Sequence, residues 1–165
     1  NQGLYLEEDL GNTASTNFCV SAACYPEKHF AAKSMEEDIK YLRKKVDLGA
    51  EYLVTQLFFD NQKYFEFVDL CRASGITVPI IPGIKPLSTK RQLEILPKIF
   101  FTDIPQELQD KVNACKDNTE VKAVGVEWAV KQSLELKEAG VPILHYYTMS
   151  RADSTVKIAE QVFGK

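Results

Sequence analysis

Four short apolar runs stand out along the chain, and each one ends where polar or turn-forming residues begin. They are Asn17–Cys24, Tyr52–Phe58, Val78–Ile84 and Ile143–Thr148. Each run is nearly continuous in apolar or β-favouring residues, and each is shorter than a typical buried helix. Continuous apolar character is typical of parallel strands that are covered on both faces. The pattern therefore predicts four buried parallel strands.

The clearest helix signal begins at Ser34. Ser34 and Glu37 have the S-x-x-E spacing of a capping box, in which each side chain accepts a hydrogen bond from a backbone N–H of the first turn. Gly49 stands where a left-handed residue ends a helix. The apolar residues between these two signals recur on one stripe, at Met35, Ile39, Leu42 and Val46.

Similar caps, stripes and stops predict the other helices. We expect them at residues 61–73 with Asp60 as cap, from Ser88 or Thr89 through Ile95, from Pro105 to about Ala114, from about Glu120 to Ala139, and from Ala152 or Asp153 to about Val162. The order β-α-β-α-β-α-α-α-β-α indicates an α/β fold with right-handed crossovers. Two architectures fit it: a four-stranded doubly wound sheet, or half of a (β/α)₈ barrel, which usually needs ~250 residues.

Composition excludes several classes of protein. The chain has 165 residues, of which 45% are hydrophobic and 26% charged, as expected of one globular domain. Its formal charge of −3 and its lack of a basic patch argue against nucleic-acid binding. No apolar run approaches the ~18 residues of a membrane span. The four cysteines form no C-x-x-C pair, so we predict no zinc site and expect a reduced, cytoplasmic protein.

Polar residues follow the predicted strands at their C-terminal ends, where both architectures bind ligands. Gln56 interrupts an apolar strand, and a buried amide without a hydrogen bond costs ~1–3 kcal/mol. The Gln56 amide either forms a hydrogen bond with a neighbour within the protein, or it faces the ligand-binding side at the strand ends and binds a polar ring. Arg151 follows the last strand and either binds a carboxylate or phosphate in a fork or forms a surface salt bridge.

For residues in the first helix and the loop before it, a structural and a ligand-binding interpretation likewise both remain open. His29 is either an exposed structural residue or a ligand-binding one. Asp38, Tyr41 and Lys45 recur at i, i+3 and i+7, which fits either a solvated helix face or a flank along an extended cofactor. In the second case the carboxylate suits a ribose hydroxyl and the cation suits a phosphate. The chain has neither a G-x-G-x-x-G motif nor a Walker loop, which argues against Rossmann and P-loop nucleotide sites.

Five segments, taken together and in order, resemble the methylenetetrahydrofolate reductase family. They are CYPEKH at 24–29, KKVDLGA at 44–50, VTQLFFDN at 54–61, IIPGIKPLS at 80–88 and HYYTMSRA at 145–152. The resemblance implies a (β/α)₈ TIM barrel that binds FAD and passes a hydride from NADH or NADPH through the flavin to 5,10-methylenetetrahydrofolate. This chain would be its C-terminal half: a truncated chain with an irregular segment at 1–16 and strands five to eight within 17–165.

The resemblance also implies roles for particular residues. The FAD contacts would be Tyr25, His29, Ala32, Asp38 and Lys45, and the substrate contacts would be Gln56, Gln92, Leu96 and Arg151. Gln56 would hold the pterin or nicotinamide ring, and Arg151 would meet the glutamate tail of the folate. Tyr41 and Leu96 depart from family members that have asparagine and phenylalanine there.

The general-acid glutamate and the flavin-tuning aspartate of the family have no counterpart in the chain, so we expect it to hold no catalytic residue and to be inactive alone.

Half a barrel would expose two strand edges and an apolar interior. We therefore expect the chain to form a homo-oligomer, to pair with the missing half, or to close in a non-native way. Two alternatives remain at this stage. One is a phosphate-binding TIM-barrel lyase or isomerase that uses Gly83, Lys85 and Ser88, and the other is a folded fragment without catalytic activity.

Overall fold

A computed structural model of the chain describes residues 14–149 and 151–164. The predicted segment 1–16 lies almost wholly outside the described residues. The strands are β1 (Ser21–Cys24), β2 (Tyr52–Thr55), β3 (Ile80–Ile81), β4 (Gly83–Ile84) and β5 (His145–Tyr146). The helices are α1 (Met35–Asp47), α2 (Asn61–Ala73), α3 (Gln92–Phe100), α4 (Gln106–Ala114), α5 (Asn118–Glu138) and α6 (Asp153–Phe163).

Side-chain caps define where the main helices begin. The Ser34 hydroxyl accepts from the Glu37 N–H at 3.2 Å, which confirms the predicted cap of α1. The Glu37 carboxylate accepts from the N–H of Lys33 at 2.6 Å, one residue earlier than the capping box predicts. Asp60 caps α2 in the same way, and Gly49 follows α1 with a left-handed φ of +110°.

The strands are shorter than the apolar runs that predicted them. The first begins only at Ser21, the second ends at Thr55, and the last covers only His145 and Tyr146. Leu57, Phe58 and Phe59 are apolar because they are buried beyond the end of β2, and they take no part in the ladder. The third run is divided at Pro82, because proline has no N–H to donate to a ladder.

Helix α3 also differs from its prediction. It begins at Gln92 and continues through Pro97 to Phe100, where a helix ending at Ile95 was expected. Its N-terminus has no side-chain cap from Ser88 or Thr89. The loss of one N–H donor at Pro97 does not end the helix, because Leu96 anchors this segment in an apolar cluster.

All pairings between the described strands are parallel, and the strands follow one another in chain order. β2 lies between β1 and β3, and β4 pairs with β5. Only Pro82 separates β3 from β4, so the order contains no reversal. A doubly wound sheet reverses its strand order at a switch point, and the described strands show none.

One face of the strands packs against helices. Cys24, Leu53, Ile80 and Ile84 enter a core cluster together with apolar residues of α1, α2, α5 and α6. Side chains alternate between the two faces of a strand, so the residues between these point the opposite way. Ala23, Val54, Ile81 and His145 mark that side, called here the inner face. None of these four belongs to a core cluster, and Ala23 and His145 are exposed.

A second core lies beyond the strand ends. Leu57 and Phe59, which follow β2, and Leu87, which follows β4, pack there against α3, α4 and α5. The residues of this cluster are Leu57, Phe59, Leu87, Leu96, Ile104, Leu108, Val112, Cys115, Val121 and Trp128. The segment 92–114 is therefore packed near the carboxyl edge, defined as the positions that follow Cys24, Thr55, Ile84 and Tyr146.

Gly125 allows α5 to approach the backbone that follows β4, since a Cβ at this position would overlap the carbonyl group of Leu87. Alanine normally stabilises a helix interior by ~1 kcal/mol relative to glycine. Because Gly125 is buried against backbone, we expect Gly125→Ala to lower the free energy of unfolding by ~1–3 kcal/mol. Urea denaturation of the two proteins measures this difference.

Ala123→Gly, at an exposed position of the same helix, serves as the control. It should lose only about 1 kcal/mol, through helix propensity. A Gly125→Ala protein as stable as the unmodified chain would contradict the close approach of α5 to Leu87.

Candidate functional site at the carboxyl edge

The loop that follows β1, residues 25–33, is built from two turns. The Lys28 N–H donates to the Tyr25 carbonyl at 3.1 Å, and the Ala32 N–H donates to the His29 carbonyl at 3.0 Å. The Lys28 ammonium donates to the carbonyls of His29 and Ala32 at 3.0 and 2.5 Å. These bonds give the loop a defined shape at the carboxyl edge.

Two residues of α1 reach this loop and the strand before it. Asp38 Oδ2 accepts from the His29 N–H at 2.8 Å. The Lys45 ammonium donates to the Ala23 carbonyl at 2.9 Å and lies 5.9 Å from the centre of the Tyr25 ring. The rings of Tyr25 and His29 meet edge to face, with centroids 4.6 Å apart. Tyr25, His29, Asp38 and Lys45 thus form one cluster, and Ala32 belongs to the same loop.

The cluster offers groups of different charge along one edge. Burial raises the pKa of Tyr25, and the nearby Asp38 carboxylate and Cys24 thiol raise it further. The phenol therefore remains a neutral donor and acceptor at neutral pH. Lys45 is exposed, so its side chain is accessible to a ligand. A phenol, a carboxylate and an ammonium grouped in this way can line a long polar ligand that carries both hydroxyls and anionic groups.

Gln56 lies one residue past β2 and not inside the strand as predicted. Its N–H donates to the Cys24 carbonyl at 2.8 Å, and its Oε1 accepts from the Leu57 N–H at 2.9 Å. Among the described residues, none accepts a hydrogen bond from its Nε2. A narrow crevice brings Gln56 together with Tyr25 and Phe101. The NH₂ group of Gln56 is therefore free to bind a ligand next to the Tyr25 cluster.

The structure places Gln92 and Leu96 in supporting positions at the start and middle of α3. Gln92 Oε1 accepts from the N–H groups of Ser88 and Thr89, at 2.6 and 3.1 Å, and so organises the loop before the helix. Leu96 is only 3% exposed within the second core. Gln92 Nε2 has no hydrogen-bond partner among the described residues, whereas the Leu96 side chain has no polar group.

Arg151 lies just beyond β5, apart from the Tyr25 cluster. Its side chain is exposed, and its Nε lies 3.9 Å from Asp153 Oδ1. The neighbouring Tyr147 crosses to the middle strands, where its hydroxyl donates to the Thr55 carbonyl at 2.8 Å. This crossing needs Gly83, because a Cβ there would lie 2.6 Å from Tyr147 Cε2.

Sequence analysis assigned no role to Glu27 near this edge, and it named Lys85 only for the phosphate-binding alternative. Glu27 bonds to Lys63, Thr102 and Asp103, which lie 36 to 76 residues away along the chain, so no local pattern indicates it. Lys85 follows β4, is only 8% exposed and has no hydrogen bond or ion pair with any described residue. Burial lowers the pKa of Lys85.

Other kinds of site find little support in the part of the chain that the structure describes. No group of three histidine, cysteine, aspartate or glutamate residues is arranged to hold a metal ion there. No described helix combines the length and the apolar character that crossing a membrane requires. A groove of about 800 Å³ lies between the start of α2, α4 and α5, but none of the predicted site residues lines it.

Comparison with known proteins gives a consistent result. The family model described as Methylenetetrahydrofolate reductase matches residues 5–163. The 5,10-methylenetetrahydrofolate reductase of Escherichia coli (strain K12) is 38% identical over 143 residues, which cover 86% of this chain and 48% of that protein. Methylenetetrahydrofolate reductase (NADH) 1 of Arabidopsis thaliana is 37% identical over 151 residues, which cover 86% of this chain and 26% of that protein. The chain thus spans about half of the bacterial relative and about a quarter of the plant one.

A solved structure shares the fold. It is described as an uncharacterized protein from Clostridium thermocellum that binds two copies of 5-methyl-5,6,7,8-tetrahydrofolic acid. Its TM-score is 0.61 at 20% sequence identity, over 87% of this chain and 52% of that one. Because the family model matches residues 5–163 and the bacterial relative is 38% identical over 143 residues, the chain belongs to the methylenetetrahydrofolate reductase family.

Proposed function

We propose that this chain is the C-terminal half of a (β/α)₈ barrel whose complete form reduces 5,10-methylenetetrahydrofolate to 5-methyltetrahydrofolate, with FAD as cofactor and NADH or NADPH as hydride source. The observation that carries the proposal is the grouping of Tyr25, His29, Asp38 and Lys45 beside Gln56 at one edge, in a chain of this family.

Three features support a half-barrel. The strands are parallel and follow chain order without reversal, as they do around a barrel. Helices share a core with one face of the strands, while Ala23, Val54, Ile81 and His145 of the inner face belong to neither core cluster. The bacterial relative is about twice as long as the matched region. In a closed barrel the inner face would be covered by the side chains of the other strands.

The cluster near β1 fits FAD. Asp38 and Lys45 stand one above the other on α1 and reach the loop 25–33, so a ligand that lies along the loop meets a carboxylate and a cation. Bound FAD supplies the hydride transfer chemistry of the family. The role of Tyr25, His29 and Ala32 in this chain is to hold and orient that cofactor at the carboxyl edge.

Gln56 is suited to bind the reacting ring, which is the pterin of the folate or the nicotinamide. Its free NH₂ group is a neutral donor, which matches the acceptor atoms of a pterin or a nicotinamide carboxamide. Arg151, whose guanidinium is exposed, suits a carboxylate of the folate tail. The folate bound by the structural neighbour and the NADH in the name of the plant relative support these ligand classes.

We assign no catalytic residue to this chain. The groups expected to donate the proton and to tune the flavin have no counterpart in its sequence, and they belong to the barrel half that is not part of it. The chain alone should therefore be inactive. Its exposed strand edges and uncovered inner face favour association, either with that half or with another copy of itself.

The phosphate-binding alternative finds less support. A phosphate site at this edge needs free backbone N–H groups. The Gly83 N–H donates to Thr55 Oγ1 at 2.8 Å, and the Ser88 N–H donates to Gln92 Oε1. With both donors occupied, Lys85 is the only group of the three that remains for an anion.

Replacing Gln56 tests the proposed ring contact in the complete reductase. Gln56→Ala should raise the KM for methylenetetrahydrofolate about tenfold, the effect of losing one ligand hydrogen bond of ~1.4 kcal/mol. Flavin content, measured by visible absorbance of the purified protein, should remain unchanged. Gln62→Ala, at an exposed position on α2, is the matched control and should alter neither value. A complete protein without flavin or reductase activity would overturn the proposed function, and an unchanged KM in Gln56→Ala would remove Gln56 from it.

Ala50 tests the packing beneath the cofactor helix. It is buried, and its N–H donates to the Lys45 carbonyl at 3.0 Å at the end of α1. Two additional methyl groups would overpack this turn by ~1–3 kcal/mol and displace Lys45. We expect Ala50→Val to release FAD faster than the unmodified reductase in a dilution assay. Ala73→Val, at an exposed helix end, is the control, and equal release rates for all three proteins would contradict the effect.

A further inference from the structure

A cluster of four polar residues joins the loop 25–33 to the segment that follows α3. Glu27 Oε2 accepts from the Lys63 ammonium and from the Asp103 N–H, both at 2.8 Å. Glu27 Oε1 accepts from the Thr102 hydroxyl at 2.9 Å. Lys63 also bonds Asp103 Oδ2 at 2.5 Å. Glu27, Lys63, Thr102 and Asp103 are called here the Glu27 cluster.

An aromatic stack makes a second connection between the same two segments. The rings of Phe30 and Phe101 lie 5.0 Å apart and nearly parallel, at 18°. Both side chains are largely exposed, at 63% and 52%. Phe101 has a φ of +54°, a left-handed conformation that is unfavourable for a bulky residue. Strained backbone of this kind persists where surrounding contacts determine it. Here the ring of Phe101 is held by the stack, and the next two residues, Thr102 and Asp103, are bonded to Glu27.

The charges of Lys63 and Asp103 persist through neutral pH. Burial lowers the pKa of Lys63, but hydrogen bonds with Asp103 and Glu27 outweigh it and the net shift is upward. The hydrogen bond from Lys63 lowers the pKa of Asp103 below its ordinary 3.8. The Asp103 contribution is lost only as pH falls through that lowered pKa, and the Lys63 contribution only as pH rises through a pKa above 10.5.

The two joined segments belong to different parts of the proposed site. Loop 25–33 contains Tyr25, His29 and Ala32, which are proposed to hold FAD. The other segment ends α3, the helix that begins with Gln92, a proposed substrate residue. Between them lies the crevice that contains Gln56. A shift of either segment would therefore be transmitted to the other through the Glu27 cluster and the stack.

We propose that Glu27 is a positioning residue that couples FAD binding to folate binding in this reductase, by holding loop 25–33 and the end of α3 in one arrangement. The inference rests on the proposed function, since it concerns the ligands of the same site. Coupling between two bound ligands is reciprocal. Loosening the α3 end should weaken the hold on FAD, and loosening loop 25–33 should weaken folate binding.

Three variants of the complete reductase test this coupling. Glu27→Gln removes the central charge. Asp103→Asn removes, at an exposed position, the carboxylate charge that pairs with Lys63. Phe101→Asn removes the stack and leaves a residue that adopts the left-handed conformation readily. Asp47→Asn, which breaks the exposed pair with Arg43 at the far end of α1, is the matched control.

The readouts are the rate of FAD release, the KM for methylenetetrahydrofolate, and thermal stability. Glu27→Gln should release FAD roughly tenfold faster and raise the KM severalfold. Phe101→Asn and Asp103→Asn should also speed FAD release, although neither residue is a proposed FAD contact. Folate at saturation should slow FAD release in the unmodified enzyme and less so in Glu27→Gln. Asp47→Asn should behave as the unmodified enzyme in every assay.

Two results would overturn the coupling. The first is an unchanged rate of FAD release in the Phe101 and Asp103 variants. The second is a correlation in which the changes in FAD release and KM across the variants are accounted for by their loss of thermal stability alone. Amide hydrogen exchange tests the connection independently of any ligand: Glu27→Gln should speed exchange in 25–33 and 101–104 together, while α2 stays protected. If the complete protein binds no FAD, the proposed function fails, and joint exchange still decides whether Glu27 connects the two segments.

Discussion

Parallel pairing of the strands is the constraint on which the rest of the molecule depends. Because all pairings are parallel, the described strands end at one edge, and the residues that follow Cys24, Thr55, Ile84 and Tyr146 lie along it. Hydrogen bonds then tie these positions together: Gln56 to Cys24, and Tyr147 to Thr55. Residues far apart in sequence are thereby placed at a single site, and helices return the chain to the start of the next strand while α1 also brings Asp38 and Lys45 to that site.

Side-chain alternation along those strands has the second large consequence. Residues such as Leu53 and Ile80 are buried under helices, while Val54 and Ile81 on the inner face are only half-buried. Uncovered apolar strand surface is unfavourable in water. The proposed barrel explains this surface, since further strands would cover it. Gly83 is consistent with this explanation, because its lack of a side chain leaves room for the Tyr147 ring on the inner face.

Sequence predicted those features that depend on neighbours within one helical turn. Ser34, Asp60 and Gly49 mark helix ends through local hydrogen bonds and backbone conformation, and the structure confirms them. The strand ends were predicted less well, because Leu57 and Phe59 are buried in the second core and Phe58 in the first, and none of the three belongs to a strand. Glu27 gave no sequence signal, since its three partners lie in two segments distant along the chain, one at Lys63 and the other at Thr102 and Asp103. The grouping of Tyr25, His29 and Asp38 came from family resemblance, and no periodicity predicts their contacts.

The central claim is that the inner face is the interior of a barrel completed by a half outside this sequence. The most direct measurement is to co-express residues 1–165 with the preceding half of the complete reductase, isolate what associates, and record its mass and visible absorbance. The account predicts a one-to-one complex that contains FAD, while residues 1–165 alone hold none. A stable monomer of residues 1–165 that does not associate with the other half would contradict it.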